Sequence, residues 1–294
     1  FSDMTLDNAS TTNGSILRLD YVTNAIIERI HFKGTLGWEL YIGNASTTNT
    51  IAVNSDVLVR NNLFDYSSST LEQFLIFDSK NITVENNIFQ GNSAISGPGL
   101  GIYQNSDYIN VKGNTFRNET GASLYYSLST NNINITNNWF LGNWVGIEGA
   151  NLADNGAFGW QEVNGLRVEN NHFTGNSIAL QLGATQGAIV TGNTFEENTN
   201  IGIWVNQGNY GASGLAKNFK INNNTFRRNN TAQTFFSIHP PIYFSQVGGN
   251  TYGQIANNTF HDNTPLGSIA QPLSISFSGE AGTLTWDYLN INSN

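Results

Sequence analysis

Carboxylates and histidines are the residues of this chain that could perform acid-base or metal chemistry. A pair such as Glu148 and Glu162 would meet if the loop between them folded back, which would permit two-carboxylate hydrolysis. The four histidines are scattered, so we interpret them as surface or loop residues rather than metal ligands. We expect no metal site and no cofactor. The carboxylates without an evident partner of opposite sign are Glu39, Glu72, Asp78, Glu119, Glu148, Asp154, Glu162 and Glu169, and the histidines are His31, His172, His239 and His261.

A second group of residues suits carbohydrate binding. Several short runs alternate apolar and other residues, with Ile102, Leu124, Ile147, Leu180 and Ile203 predicted to point inward. Their neighbours would then face outward in one column: Tyr103, Tyr125, Glu148, Gln181 and Trp204. Flat aromatic faces with interspersed amide and carboxylate groups fit sugar rings, which present C–H faces rimmed by hydroxyls. The alternative is that these aromatic residues cover the fold or pack on another chain.

Three long insertions follow these runs and could form the wall of a groove beside the column. They read ANLADNGAFGWQEVNG, NQGNYGASGLAKN and HPPIYFSQVGGNTYG. The insertions carry Trp160, Tyr210 and Tyr243, and we include Trp160 in the predicted glycan-binding set with Tyr103, Tyr125, Glu148, Gln181 and Trp204.

The elements that would position these residues belong to a repeated phrase built around a phenylalanine. Variants include NNIFQGN, NNWFLGN, NNHFTGN and NNTFRRN, and the anchor residues recur every 22 to 34 residues at Phe32, Phe64, Phe89, Phe116, Phe140, Phe173, Phe195, Phe226 and Phe260. A repeat of this length indicates a solenoid whose units bury apolar faces by stacking. Alternating runs such as ITVENNIF and INITNNWF precede the anchors and predict strands. Inward positions lie five and seven residues before the anchor.

An asparagine two residues before the anchor is predicted to form a vertical column. Its members are Asn62, Asn87, Asn114, Asn138, Asn171, Asn193, Asn224 and Asn258. An amide side chain carries donors and an acceptor, so stacked copies can bond to one another at a bend. Asparagine also tolerates the left-handed backbone of such a corner. Gly113 and Gly192, one residue earlier, indicate the same backbone freedom.

Charged residues support the same stacking register. Arg60, Glu85 and Lys112 occupy one position of successive repeats, and Glu197, Arg228 and Asp262 occupy another. Lys33 precedes Asp65, and Glu196 precedes Arg227, at a third position. Opposite charges on adjacent strands contribute roughly 0.2 to 1 kcal/mol per pair, whereas stacked like charges destabilise. We therefore expect these residues to be vertical neighbours.

Composition excludes several classes of protein. The chain has 294 residues, 11% charged residues against a usual figure of about 25%, a net charge of −9 and no cysteine. A nucleic-acid binder needs clustered Lys and Arg, so nucleic acid is not an expected partner. The absence of cysteine excludes disulfides and thiolate metal sites. No apolar stretch is long enough to span a membrane, so no membrane span is expected.

The repeated Val/Ile-x-Asn/Gly-Asn-x-Phe-x-x-Asn phrase resembles the parallel β-helix repeat of the pectin-lyase-like superfamily. The resemblance covers roughly residues 20–290 and implies an all-β fold, a right-handed parallel β-helix of about nine or ten coils. That superfamily includes polysaccharide lyases, glycosidases, epimerases, tailspikes, adhesins and non-catalytic surface proteins. The Asn-Thr-Asp, Asp-Asp, Gly-His-Gly and Arg-Ile-Lys motifs of polygalacturonases are absent, as is the Asp-Pro-His-Glu motif of alginate epimerases.

Two functions are compatible with these observations. The first is a structural or adhesive β-helix on a cell or virion surface that presents or binds a polysaccharide or glycoconjugate. Such a protein could assemble with copies of itself, as a homo-oligomer or as an end-to-end polymer. The second is a polysaccharide lyase or glycoside hydrolase. We expect residues 1–294 to form a single β-helix domain. The chain begins at Phe1, so we interpret it as a piece of a longer, processed polypeptide.

Overall fold

The computed structural model of this protein describes residues 1–7, 14–34, 37–43, 54–65, 71–92, 97–127, 129–149, 163–183, 185–205, 218–229, 242–245, 252–263, 275–278 and 288–292. All elements in these ranges are strands, and every pairing between them is parallel. Successive repeats stack to form a right-handed parallel β-helix, which confirms the predicted fold. None of the described residues forms a helix long and apolar enough to cross a membrane.

One face of the coil, here called the first face, is a sheet with ten strands among the described residues, in agreement with the predicted nine or ten coils. Its strands, in stacking order, are β2 (Leu17–Leu19), β4 (Leu40–Ile42), β7 (Phe74–Phe77), β10 (Leu100–Tyr103), β13 (Ala122–Tyr126), β16 (Val145–Gly149), β20 (Ile178–Leu182), β24 (Ile201–Val205), β27 (Ile242–Ser245) and β30 (Ile275–Ser278).

The second face contains the strands that precede the asparagine corner. These are β1 (Ser2–Asp7), β3 (Ile26–Lys33), β5 (Asn54–Arg60), β8 (Ser79–Glu85), β11 (Asp107–Lys112), β14 (Asn131–Thr136), β17 (Val163–Asn164), β18 (Arg167–Glu169), β21 (Thr185–Gln186), β22 (Ile189–Thr191), β25 (Phe219–Asn222), β28 (Tyr252–Ala256) and β31 (Tyr288–Asn292).

The third face follows the corner and consists of three-residue strands centred on the anchor phenylalanines. They are β6 (Leu63–Asp65), β9 (Ile88–Gln90), β12 (Thr115–Arg117), β15 (Trp139–Leu141), β19 (His172–Thr174), β23 (Thr194–Glu196), β26 (Thr225–Arg227) and β29 (Thr259–His261). In the two earliest coils, β1 and β3 each continue through the corner onto this face, where Leu6 is the partner of Phe32.

The core lies inside the coil and follows the predicted alternation. From Phe64 to Phe226, the residues five and seven before each anchor are buried, as Ile82 and Val84 illustrate. The anchor rings form a continuous stack from Phe32 to Phe260, with centroids of neighbouring rings 4.5 to 4.9 Å apart. This distance equals the spacing of paired strands, about 4.8 Å, so each ring rests on the ring of the next coil.

The predicted asparagine column is present, and we call it the first ladder. The side-chain nitrogen of each member donates to the Oδ1 of the next, at 3.0 to 3.1 Å from Asn62 through Asn258. The same Oδ1 also accepts the backbone N–H of the preceding member, for example Asn114 N–H to Asn138 Oδ1 at 2.8 Å. Because these groups are buried, each bond satisfies an atom that water cannot reach.

A second ladder lies three residues after the anchors and was not predicted. Its members are Asn143, Asn176, Asn198, Asn229 and Asn263, joined by Nδ2–H···Oδ1 bonds of 2.8 to 3.0 Å. Each of these side chains also donates to a carbonyl of the preceding coil, as Asn143 does to Phe116 O at 3.2 Å. Glu119 occupies the equivalent position below Asn143, and only its backbone N–H joins the ladder, at 3.0 Å from Asn143 Oδ1.

The left-handed backbone of the first corner lies one residue before the ladder, which corrects the prediction that assigned it to the ladder asparagines. Positive φ angles of 54° to 68° occur at Asn61, Asn86, Gly113, Asn137, Asn170, Gly192, Asn223 and Asn257. Separating the two roles has a physical reason: the left-handed residue turns the chain, and the next side chain then points inward to bond.

Half of the predicted charge pairs are present. Lys112 contacts Glu85 at 2.8 Å, and Arg227 contacts Glu196. Arg228 contacts Glu197 at 2.7 Å, and the two residues share the left-handed corner position with Asp262. The other three predicted pairs, Arg60 with Glu85, Lys33 with Asp65 and Arg228 with Asp262, are replaced. Arg60 binds Glu28, Lys33 binds Asp7 and Asp262 binds His261, at 2.8, 3.7 and 2.6 Å. A long side chain can reach the coil on either side, so register alone does not select its partner.

Candidate functional site

Four of the five residues predicted to share an outward column do so. On the first face, Tyr125, Glu148, Gln181 and Trp204 are direct partners across β13, β16, β20 and β24. We call these four residues the outer column. Their inward neighbours Leu124, Ile147, Leu180 and Ile203 are fully buried in the core, as predicted.

Tyr103 does not belong to this column, which corrects the predicted register of β10. Gly101 is the partner of Tyr125, and Ile102 is the partner of Tyr126. A side chain at Gly101 would meet the Tyr103 ring, because an ideal Cβ there lies only 2.4 Å from a ring carbon of Tyr103. The Tyr103 ring therefore folds back over Gly101 and lies 5.3 Å from the Tyr125 ring, centroid to centroid. Glycine is required here because the tyrosine ring fills the space of its side chain.

The outer column is partly covered. Tyr125 is 7% exposed and Gln181 is 3% exposed, whereas Tyr103, Glu148 and Trp204 are half-buried. An apolar row three residues before the column, formed by Ala122, Val145, Ile178 and Ile201, packs against Tyr125, and Tyr103 and Trp204 contact the same cluster. The aromatic residues therefore help to cover the outside of the first face. Glu148 and Trp204 keep part of their surface accessible.

Glu72 lies one coil before Tyr103 and accepts hydrogen bonds from two aromatic side chains. Its Oε1 accepts the Tyr103 hydroxyl at 2.5 Å, and its Oε2 accepts the Trp38 indole N–H at 2.8 Å. Burial raises the pKa of Tyr103 well above its usual value, and the Glu72 charge and hydrogen bond raise it further. Burial also raises the pKa of Glu148. Glu72 and Glu148 thus approach the Tyr103 and Tyr125 pair from opposite sides along the coil axis.

Most of the other carboxylates for which the sequence showed no partner are buried or form an ion pair. Glu39 and Glu119 are buried inside the coil, and Glu169 binds Arg167 at 3.1 Å. Burial raises the pKa of Glu119 to about 8, and it raises that of Glu39 well above the usual range, with further contributions from Asp65 and Glu119. Burial raises the pKa of Asp78 as well. Asp154, Glu162 and Trp160 lie outside the described residues, and so does the proposed meeting of Glu148 with Glu162.

The described histidines are not grouped. His31 lies 3.3 Å from Asp65, and His172 lies 3.8 Å from Glu196. Within the described part of the chain, no three His, Asp or Glu residues converge as a metal site would require. His239 lies outside that part.

Sequence reasoning missed two exposed tryptophans near the third face. Trp139, on β15, is 50% exposed, and Trp144, in the turn that follows, is 59% exposed. The signal was present in the phrase NNWFLGN, because the position before an anchor alternates outward. The partner of Trp139 is His172, which is 33 residues later and becomes its neighbour only once the register is known.

Comparison with known proteins gives a family and a fold. The family described as "Right handed beta helix region" matches residues 2–156 and 142–268. No curated protein sequence matches this chain. The chain is similar in structure to the Agl-KA catalytic domain, with a TM-score of 0.61 and 14% identity over 92% of this chain, although it spans only 48% of that domain.

Two further structures align over almost the whole chain. The Streptococcus pneumoniae surface protein and adhesin PfbA gives a TM-score of 0.53 at 14% identity, covering 98% of this chain and 82% of the other. The A-module of the Azotobacter vinelandii mannuronan C-5 epimerase AlgE4 gives 0.52 at 10% identity, covering 98% and 83%. Identities this low establish a shared fold, and both catalytic and adhesive proteins share it.

Proposed function

This chain belongs to the right-handed β-helix family, and we propose that it is a rigid surface protein whose first face binds glycans. The observation that carries the proposal is the register of Glu148, Gln181 and Trp204 on three consecutive strands. It aligns a carboxylate, an amide and an indole at intervals of about 4.8 Å. An indole stacks on the C–H face of a sugar, and the accessible carboxylate of Glu148 accepts hydrogen bonds from its hydroxyls.

The partial exposure of Glu148 and Trp204 is compatible with this role. A sugar ring on Trp204 would cover surface that is still accessible, whereas the buried Tyr125 and Gln181 would support the site from beneath. The predicted contributions of Tyr103, Tyr125 and Gln181 are thus proposed to be indirect. The net charge of −9 repels anionic polymers, so a neutral polysaccharide or glycoconjugate is the proposed ligand.

Retention on a glycan array tests this proposal. Trp204→Ala and Glu148→Gln are expected to lower the affinity for the glycan that the wild-type protein retains by tenfold or more, because each removes a direct contact. Trp144→Ala, at an exposed tryptophan that is not a member of the outer column, is the matched control and is expected to change the affinity less than twofold. Unchanged retention by both column variants, with correct folding, would contradict the proposal.

A second candidate function is hydrolysis or elimination at the same face. It is favoured by the position of Glu72 and Glu148 around the tyrosine pair and by the raised pKa of Glu148, which a general acid requires. A screen of diverse polysaccharides for new reducing ends and for absorbance at 235 nm tests it. Turnover that Glu148→Gln abolishes would establish an enzyme and remove the purely adhesive proposal.

We also propose an extracellular location, on a cell or virion, and end-to-end self-assembly. Among described strands, β2 and β30 each have a partner on one side only, and an open strand edge pairs readily with another chain. Light scattering at rising protein concentration tests the assembly. A mass that stays at that of one chain, 32.1 kDa, would contradict it.

A further inference from the structure

The third face carries an exposed aromatic platform that is separate from the outer column. Trp139 points outward from β15, and the ring of its register partner His172 lies 4.5 Å away, centroid to centroid, at an interplanar angle of 38°. On the other side of Trp139 the register partner is Thr115, whose small side chain covers little of an indole. The indole is therefore held by His172 on one side and is accessible on the other.

Arg117, a positively charged residue, lies diagonally beside this platform on the neighbouring strand. Arg117 is on β12, two residues along from Thr115, and its direct partner on β15 is Leu141. Arg117 is exposed and has no ion pair with any described residue, unlike the other arginines that the structure describes. In a protein where arginines otherwise pair with carboxylates, an unpaired arginine next to an exposed tryptophan indicates a site for a ligand.

We propose that Trp139, with His172 behind it and Arg117 beside it, is a second carbohydrate-binding subsite. The apolar face of a pyranose ring stacks on the indole, and Arg117 donates hydrogen bonds to a hydroxyl or to the exocyclic oxygen atoms of the same or the next sugar. The inference rests on glycan binding as the proposed function, but it assigns a different face of the coil. With this subsite, the β-helix would bind sugars on both its first and its third face.

The dimensions agree with this arrangement. Adjacent strands are about 4.8 Å apart and residues two apart on a strand are about 6.6 Å apart, so the backbones at Trp139 and Arg117 are separated diagonally by about 8 Å. That distance is spanned by one sugar ring and its exocyclic group. A guanidinium presents several donors in a fixed plane, which suits vicinal hydroxyls and carboxylates alike.

The size of the platform favours a sugar over a protein. A stable protein interface buries about 800 Å² on each partner. The accessible apolar side chains here are Ile88, Trp139 and the half-buried Leu141. A whole aromatic side chain buries about 150 to 250 Å², so a half-exposed indole and two partly exposed aliphatic chains cannot supply such an interface. They match one or two sugar rings.

The decisive experiment observes the tryptophan indole N–H signals of nitrogen-15-labelled protein by NMR. The chain has six tryptophans, and Trp139→Phe, Trp144→Phe and Trp204→Phe identify three signals by their loss. The ligands are the β-1,4-linked hexamer of glucose and its counterpart oxidised to carboxylate at C6. All ring substituents of β-glucose are equatorial, so both ring faces are apolar, and about 10 mM of each ligand detects dissociation constants near 1 mM.

We expect the sugars to shift the Trp139 signal and to leave the Trp144 signal unchanged. A larger effect of the oxidised hexamer would show that Arg117 binds a carboxylate, and equal effects would show that it binds hydroxyls. Trp139→Ala is expected to lower the affinity of this site by tenfold or more, and Arg117→Gln by about threefold, whereas Trp144→Ala changes it less than twofold.

The Trp204 signal separates this inference from the proposed function. Shifts at Trp204 without shifts at Trp139 would support the outer column and overturn the second subsite. Shifts at Trp139 alone would support the second subsite and overturn the outer column. If neither hexamer moves either signal, both assignments are wrong.

Discussion

The corner between the second and third faces and the outer column of the first face follow opposite rules. At the corner, every coil from Asn62 to Asn258 repeats the same residue, and the anchor rings stack on one another without interruption. On the outer column, consecutive coils present a tyrosine, a glutamate, a glutamine and a tryptophan. Both regions have the same strand spacing, so the backbone does not cause the difference.

The difference shows what each region contributes. Inside a ladder each amide gives and receives bonds from the amides above and below it, so a replacement without these groups leaves a buried donor or acceptor unsatisfied. An outward column has no such requirement, so its residues are free to serve a ligand. The following changes test that division, beginning with the largest expected effect.

Glu119 lies at the end of the second ladder, below Asn143, and its replacement by glutamine should change the pH dependence of stability. Its pKa is raised from 4.5 to about 8 in the folded protein, so the folded state holds a proton that the unfolded state releases. The free energy of unfolding of the wild type therefore falls as pH rises from about 4.5 to about 8, by up to roughly 5 kcal/mol at 1.36 kcal/mol per pKa unit.

In Glu119→Gln this contribution disappears, so we expect the variant to be more stable than the wild type at pH 8 and similar at pH 4. Urea unfolding across this range measures the difference. Part of the dependence of stability on pH remains in this variant, because the pKa of Glu39 is also raised. Glu169→Gln, at a carboxylate on the outside of the coil, is the control. An unchanged slope in Glu119→Gln would show that this carboxyl does not stay protonated inside the coil.

Phe140→Ala removes a ring from the middle of the anchor stack. Phe140 is fully buried between Phe116 and Phe173, at 4.9 and 4.7 Å. We expect a loss of about 3 to 5 kcal/mol in the free energy of unfolding, the usual range for a buried phenylalanine. Phe260→Ala, at a partly buried ring of the same stack, should cost less. Equal losses at both positions would mean that stacking on both sides does not add stability.

Asn138→Ala breaks the first ladder at its centre. The Asn138 side chain donates to Val111 O at 2.9 Å and accepts from Asn114, so the substitution leaves two buried groups of the preceding coil without this partner. We expect a loss of about 2 to 4 kcal/mol in urea unfolding. Asn134→Ala, at an outward asparagine that bonds Asn110, should cost less than about 0.5 kcal/mol. A small loss at Asn138 would remove the distinction between ladder and surface.

The ion pair of Lys112 and Glu85 is expected to make the smallest contribution to stability of the interactions tested here. They lie 2.8 Å apart, with the lysine half-exposed. A double-mutant cycle with alanine at each position should give a coupling free energy of about 0.2 to 1 kcal/mol that weakens in high salt. A coupling of zero at low salt would show that the pattern of signs along the coil does not stabilise it.

The corner could be predicted from sequence, and the outer column only in part, for a geometric reason. Strands of the second and third faces lie at a fixed distance from the anchor, so one phenylalanine sets their register. The distance to the first face varies, with Phe89 eleven residues before Leu100 but Phe116 eight before Leu124. The alternation at β10 is then compatible with two registers, in which either Ile102 or Leu100 is the partner of Leu124. The structure has Leu100 there, which places Gly101, a residue without a side chain, in the outer column.

The second ladder and the Trp139 platform were missed for different reasons. The asparagines three residues after the anchors were visible in the phrase, but a bond between them depends on a second corner whose backbone the pattern does not specify. Trp139 was visible as an outward residue, but its contact with His172 depends on two repeats of unequal length coming into register. In both cases the sequence shows the type of residue and the direction of its side chain, but it does not show which residue lies next to it in the fold.

The central claim is that equivalent positions of successive repeats lie directly above one another, and spin-label distances test it most directly. The chain has no native cysteine, so pairs of introduced cysteines label cleanly. Ile26, Arg167, Lys220 and Gln254 occupy one outward column of the second face, five, seven and eight strand spacings along the coil axis from Ile26. From labels at Ile26, we predict backbone distances of about 24, 34 and 38 Å, a rise of about 4.8 Å per coil with narrow distributions. Distances that do not increase linearly with coil number, or that are broadly spread, would contradict the account.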